Sequence, residues 1–324
     1  MVSMDADRKN RYQTEIAMLS LTRQHQQELS QMYEDLTQRQ HDYKHHLQTL
    51  QELVTGSGES TAKAYLENAD VDTFILSDAN LVMNIDFEEM LRFHEERGAD
   101  VTVLYQNKVC QGHAGGILEH DSTGRVIDAY YTTVQQNEPQ NAVLGVYIFN
   151  KDLLISLLDR AYTFGWIDFE RDFITKNLNK LKVYAYAHKG FSAVINTVSD
   201  YYNASMEILK PEVRRELFYS DTPILTRVKN SVPTVYGFDG KVTDSLIADG
   251  CVINGELHNC IVFRDVTIEK GAVLNNCIIM QNTTVKSGAR LNCVISDKDV
   301  VIEENHILSG YQTYPFVISK GQHV

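Results

Sequence analysis

The feature that most constrains this chain is a repeat of 17 residues near its C-terminal end. LHNCIVFRDVTIEKGAV (257–273), LNNCIIMQNTTVKSGAR (274–290) and LNCVISDKDVVIEENHI (291–307) align without gaps, and SLIADGCVINGE is a shorter version before them. Leu257, Leu274 and Leu291 fall in register, as do Ile261, Ile278 and Ile295, and Ile268, Val285 and Ile302. Aliphatic residues about every six positions, three to a turn, describe a triangular β-solenoid whose coils stack like on like. Gly271, Gly288 and Asn305 hold one place in the repeat, where a corner needs positive φ. Cys260 and Cys277 fit the pattern as small, stackable interior side chains rather than as metal ligands. The five cysteines (110, 251, 260, 277 and 293) form no C-x-x-C and have no histidine at zinc-ligand spacing, which predicts free thiols.

Upstream the periodicity changes. TFILSD reads as a buried strand, FEEMLRFHEERGA as an amphipathic helix ending at Gly98, and DVTVLYQ as the next strand. GILEH, RVIDAYYT, AVLGVYIF and KVYAYAH read as further strands, with NKDLLISLLDRAY and DFERDFITKNL as helices. This β-α-β pattern predicts a mixed, mostly parallel sheet covered by helices. Residues 1–55 lack Gly and Pro and carry one apolar stripe from Leu29 to Val54, and TGSGES then breaks it, so a helical hairpin is expected. The expected domains are 1–69, 70–219 and 220–324.

Charge excludes some partners. With 30 basic and 43 acidic side chains the formal charge is −13, which disfavours nucleic acid and anionic membrane surfaces. No run reaches the roughly 18 apolar residues of a membrane span, and MVSMDADRKN does not read as a signal peptide, so the cytoplasm is the expected location.

Longer strings carry a resemblance. FILSDANLVMNIDFEEMLRFHEERGADVTVLYQ (74–106), LGVYIFNKDLL (144–154), IDFERDFI (167–174), INTVSDYYNASMEIL (195–209) and VINGELHNCIVFRDVTIEKGAVLNNCIIM resemble, in order, ADP-glucose pyrophosphorylase (glucose-1-phosphate adenylyltransferase) subunits of the non-catalytic GlgD type. The resemblance implies a partial nucleotidyltransferase, Rossmann-like mixed sheet followed by a left-handed parallel β-helix. It also implies a place in bacterial glycogen synthesis. Catalytic relatives join glucose-1-phosphate to the α-phosphate of ATP, a transfer that needs magnesium held by carboxylates. One family metal aspartate aligns with Asn80, and the other, in W-x-D-V-G-T, aligns with Val194 of SAVINT (192–197). An amide is no anionic ligand and a valine is no ligand at all. Asp78 is either a degenerate ligand or, preferably, a strand-end cap. Gly145 and Asp168 are further ligand-binding candidates on the family landmarks. The family's E-K-P motif is unrecognisable in DAYYTTVQQNEPQ (128–140), and Gly115-Gly116 read as strand entry rather than as a phosphate cradle. No G-G-x-G-x-R-L loop precedes Val71, so the nucleotidyltransferase part is expected to be N-terminally truncated.

RQHDYKHHLQTLQELV followed by AKAYLEN resembles the phosphoacceptor hairpin of sensor histidine kinases, with His41 as phosphoacceptor and Asp42 beside it. The leading expectation is a regulatory or structural subunit acting with a catalytic ADP-glucose pyrophosphorylase partner in a hetero-oligomer such as a tetramer. That leaves room for a small-molecule effector or sugar phosphate. No metal or cofactor is expected, and magnesium only with residual adenylyltransferase activity. A histidine phosphorelay fragment and a hexapeptide acyltransferase using His258 or His306 are competing readings, although both of those histidines read as surface residues.

Overall fold

The computed structural model describes residues 66–109, 115–132, 138–164, 174–226, 229 and 231–324. One unit runs from Asp72 to Val324. Its first part contains β1 (Thr73–Ser77), β2 (Leu81–Met83), α1 (Phe87–Glu96), β3 (Val101–Lys108), β4 (Gly115–His120), β5 (Val126–Thr132), β6 (Gln140–Asn150) and α2 (Lys151–Phe164). The short α3 (Thr175–Asn177), β7 (Val183–Ala187), β8 (Ser192–Val194), α4 (Val198–Glu207) and α5 (Pro211–Phe218) follow.

Helix boundaries follow local chemistry. Asp86 caps α1 by accepting hydrogen bonds from the amides of Glu88 and Glu89, and those two acids sit at the positive end of the helix dipole. The helix stops before Gly98, which adopts φ +51°. Thr197 and Asp200 close a reciprocal capping box at the start of α4.

The main sheet has the order β5-β4-β6-β3-β7, with β1 on the remaining part of β6. Strands are less parallel than the helix-strand alternation predicted. Only β3–β7 is a parallel pair, whereas β1–β6, β3–β6, β4–β6 and β4–β5 are antiparallel. The β1-α1-β3 crossover does return the chain in its original direction, but β6 lies between β1 and β3, antiparallel to both. Side-chain alternation marks a strand and not its neighbour.

β6 is buried on both faces, which is why LGVYIF is an unbroken apolar run. Leu144, Val146 and Ile148 pack with Met90 of α1, while Tyr147 and Phe149 pack with Leu157 of α2.

The solenoid has three five-stranded parallel sheets. Val242, Leu257, Leu274, Leu291 and Leu308 form one in-register column, first 15 and thereafter 17 residues apart. Ile253, Ile268, Val285 and Ile302 form a second. The register jumps by 22 between Ile295 and Val317, where Gly310–Pro315 is inserted as a turn closed by reciprocal Tyr311–Tyr314 backbone hydrogen bonds. Gly271, Gly288 and Asn305 have positive φ, as the repeat predicted. Two further corner columns are also left-handed: Asp244, Asn259, Asn276 and Cys293, and Gly250, Asp265, Asn282 and Asp299. Asn and Asp tolerate this conformation because their side chains hydrogen-bond locally; Asn259 donates to Asn276 at 2.8 Å and Asn282 to Asp299 at 3.0 Å.

The prism interior holds Leu274, Ile279, Val285, Cys260 and Cys277, among others. The Ile261–Ile278–Ile295 column is in register but belongs to the outside of its sheet. Ile278 and Ile295 pack with Tyr202 of α4 and with Cys293. This contact joins the two parts of the unit, and the Tyr202 hydroxyl donates to the Asn276 carbonyl at 2.8 Å. Cys251, Cys260, Cys277 and Cys293 are free and buried. Cys110 lies outside the described residues.

Candidate functional site

The C-terminal end of β1 delivers Asp78 onto a bulge in β6. Between Val103 and Tyr105 the β3–β6 register shifts, and Gly145 takes φ +71° there. The Asp78 amide donates to the Gly145 carbonyl at 2.9 Å. A Cβ at Gly145 would collide with the Asp78 carboxyl, so glycine is required both by conformation and by space. This packing strips water from part of the carboxyl and raises the Asp78 pKa above its ordinary value, although the residue remains open to solvent.

Asn80 and Val194 are also brought together. β2 and β8 form an antiparallel ribbon in which Leu81 faces Val194, and the Ile195 amide donates to the Asn80 carbonyl at 2.8 Å. The Asn80 amide group donates to Asn196 Oδ1 at 2.7 Å. Magnesium at these positions would require hard anionic oxygens. The residues present do not fit it: one amide is engaged with Asn196, one side chain is apolar, and the Asp78 carboxyl is packed over Gly145. Among the described residues no group of three or more His, Cys, Asp or Glu side chains could hold a metal.

Val194 lines a cleft of about 730 Å³ between β3, β4, β6, β8, α4 and the solenoid. Two sides of it come from distant segments: Gly115 and Gly116 at the entry of β4, and Gln312 and Thr313 at the tip of the inserted turn. Lys108, at the end of β3, is a cleft residue that the sequence motifs did not single out. Its Nζ donates to Ser192 Oγ at 2.9 Å, and that hydroxyl donates to Gln106 Oε1 at 2.6 Å. A cation closing a strand in DVTVLYQNK was the available signal.

The carboxylates of the cleft are occupied. Asp200 accepts from the amides of Asn196 and Thr197, at 3.1 and 2.8 Å, and Glu207 pairs with Lys210 at 2.7 Å. His258 and His306 are exposed, on a strand and at a turn respectively, so they share no place in the repeat. Asp168, His41 and Asp42 lie outside the described residues, as does part of DAYYTTVQQNEPQ. Among the described residues no helix is long and apolar enough to cross a membrane.

Comparison with known proteins agrees with this geometry. Residues 9–211 match the nucleotidyl transferase family and residues 231–312 the GlmU-like C-terminal hexapeptide family. The first match takes in the whole of RQHDYKHHLQTLQELV and AKAYLEN, the strings likened to a kinase hairpin. The chain is 36% identical over 257 residues to the glycogen biosynthesis protein GlgD of Bacillus subtilis (strain 168), covering 79% of this chain and 65% of that protein. It is 26% identical over 216 residues to the glucose-1-phosphate adenylyltransferase of Clostridium perfringens (strain SM101 / Type A), covering 65% of this chain and 55% of that protein. Against the Bacillus subtilis (strain 168) adenylyltransferase the identity is 29% over 211 residues, 64% of this chain and 55% of the enzyme. The chain thus spans between 55% and 65% of the length of these relatives. With a nucleotidyltransferase-like sheet, a hexapeptide solenoid and matches to both families in the same order, the chain belongs to the nucleotidyl transferase family.

Proposed function

We propose that this chain acts in glycogen synthesis as a GlgD-like regulatory or structural subunit that does not itself transfer adenylyl groups. The observation that carries the reading is the β2–β8 ribbon. It brings the two aligned metal positions side by side and fills them with Asn80, whose amide is already bonded, and Val194. A nucleotidyltransferase cleft without anionic oxygens at those places cannot neutralise the charge of a transferring phosphate. In this reading the chain works in the cytoplasm by association with a catalytic glucose-1-phosphate adenylyltransferase in a hetero-oligomer, and a small-molecule effector or sugar phosphate acts on the assembly.

The test mixes the purified chain with a catalytic subunit and follows ADP-glucose formation. The expected result is no turnover by the chain alone with magnesium, and a changed rate or effector response on mixing. Magnesium-dependent turnover by the isolated chain would establish a residual enzyme instead, and absence of any association would remove the subunit reading.

A further inference from the structure

We propose that the free edge of β1 is an acceptor for an extended, apolar peptide segment flanked by basic residues, which joins the main sheet as one more strand. The inference goes beyond the proposed function and stands whether or not the chain transfers adenylyl groups.

The backbone of β1 selects the class of partner. Among the described residues β1 pairs with β6 and with no other strand. The Lys151 amide donates to the Asp72 carbonyl at 2.8 Å and the Asp78 amide to the Gly145 carbonyl at 2.9 Å, which fixes the phase of the antiparallel ladder. Hydrogen-bonded pairs alternate along such a ladder, so Asp72, Phe74, Leu76 and Asp78 direct their N–H and C=O groups to β6. Thr73, Ile75 and Ser77 direct theirs to the open side. A row of alternating donors and acceptors at this spacing is a template for another extended backbone.

The side chains agree. Ile75 lies opposite Ile148, on the face of β6 that packs with α1, and Leu76 lies opposite Tyr147, on the face that packs with α2. Each is 43% exposed. A strand that is apolar on both faces has the character of an interior strand, yet this one is an edge. Thr73–Ser77 carries none of the charges, prolines or bulges that keep an edge from pairing, whereas β5, at another edge of the sheet, carries Asp128.

Charge then chooses among occupants. Asp70 and Asp72 precede the strand and Asp78 follows it, all three exposed. Antiparallel pairing with a second copy about a two-fold axis at Ile75 would set Asp72 of each copy against Asp78 of the other, and like charges placed opposite are destabilising. An incoming strand with basic residues at both ends meets these acids in either direction.

Fluorescence anisotropy of the full chain with a labelled peptide of alternating valine and threonine, with lysines at both ends, tests the proposal. The expected result is saturable binding, weakened at least about tenfold when glutamates replace the flanking lysines. Ile75→Pro removes an outward N–H and spares the β6 ladder, so binding should fall at least about tenfold with an unfolding temperature close to that of the parent. If Ile75→Pro does not fold, amide exchange in the parent, read by NMR, decides. Peptide should slow exchange at Thr73, Ile75 and Ser77 and leave Phe74 and Leu76, already bonded to β6, unchanged. Equal binding of the two peptides, undiminished binding by folded Ile75→Pro, or unchanged exchange at Thr73, Ile75 and Ser77 overturns the proposal. A concentration-dependent dimer abolished by Ile75→Pro would give the edge to a second copy. Slow exchange at Ile75 before peptide is added would give it to another segment of the same chain. Either result also overturns the proposal.

Discussion

At the scale of single residues, Gly145 and His94 decide more than their size suggests. Gly145 accepts φ +71° with Asp78 above its Cα. Alanine there would meet both a left-handed backbone and a carboxylate that has to move, so Gly145→Ala should destabilise by roughly 1–3 kcal/mol. Part of that loss should return in the Asp78→Ala double variant, as a cycle of urea-unfolding midpoints would show. His94 is buried, with Nε2 donating to Asn150 Oδ1 at 3.2 Å and Nδ1 accepting from Thr102 Oγ1 at 2.7 Å. This tautomer is assigned from the partners, since Asn150 Nδ2 is committed to the Ala99 carbonyl. Burial lowers the His94 pKa below 6.5. The sign follows: above about pH 6.5 both folded and unfolded states are neutral, and below it the unfolded chain takes up a proton that the folded chain refuses. Stability should therefore fall as pH drops through about 6.5 toward the folded pKa. The urea midpoint of the parent should decrease between about pH 8 and about pH 5.5 more than that of His94→Gln; equal decreases would show that His94 is not responsible.

At the scale of elements, α4 is the joint. Its Tyr202 is 1% exposed and sits among Ile278, Cys293 and Ile295. Removing a buried aromatic of this kind typically costs about 3–5 kcal/mol. Here the loss falls on the contact between sheet and solenoid rather than within either one. Tyr202→Ala should accordingly split a single calorimetric unfolding transition into two, with the solenoid melting separately. Tyr202→Phe keeps the ring and loses one hydrogen bond, worth about 1 kcal/mol, and should retain a single transition. A single lowered transition in Tyr202→Ala would show that the two parts are coupled through other contacts.

At the scale of the whole molecule, sheet and solenoid form one unit with a cleft of about 730 Å³ lined by residues of both. The β2–β8 ribbon borders that cleft through Ser192, Ala193 and Val194, and Asn80 beside it donates to Asn196. The cleft lining mixes polar with apolar side chains, and α4, which carries Tyr202 into the contact with the solenoid, also forms one of its walls.

The solenoid was legible from sequence because its order is local. Each coil touches the next about 17 residues away, and the same residue type recurs at each contact, as with Leu257, Leu274 and Leu291. Tertiary structure alone decided the rest. It placed β6 between β1 and β3, turned the Ile278 column toward α4, set Asp78 on Gly145 and brought Lys108 to Ser192 across a separation of 84 residues. Such contacts depend on which strands become neighbours, and apolar alternation is the same for every choice of neighbour.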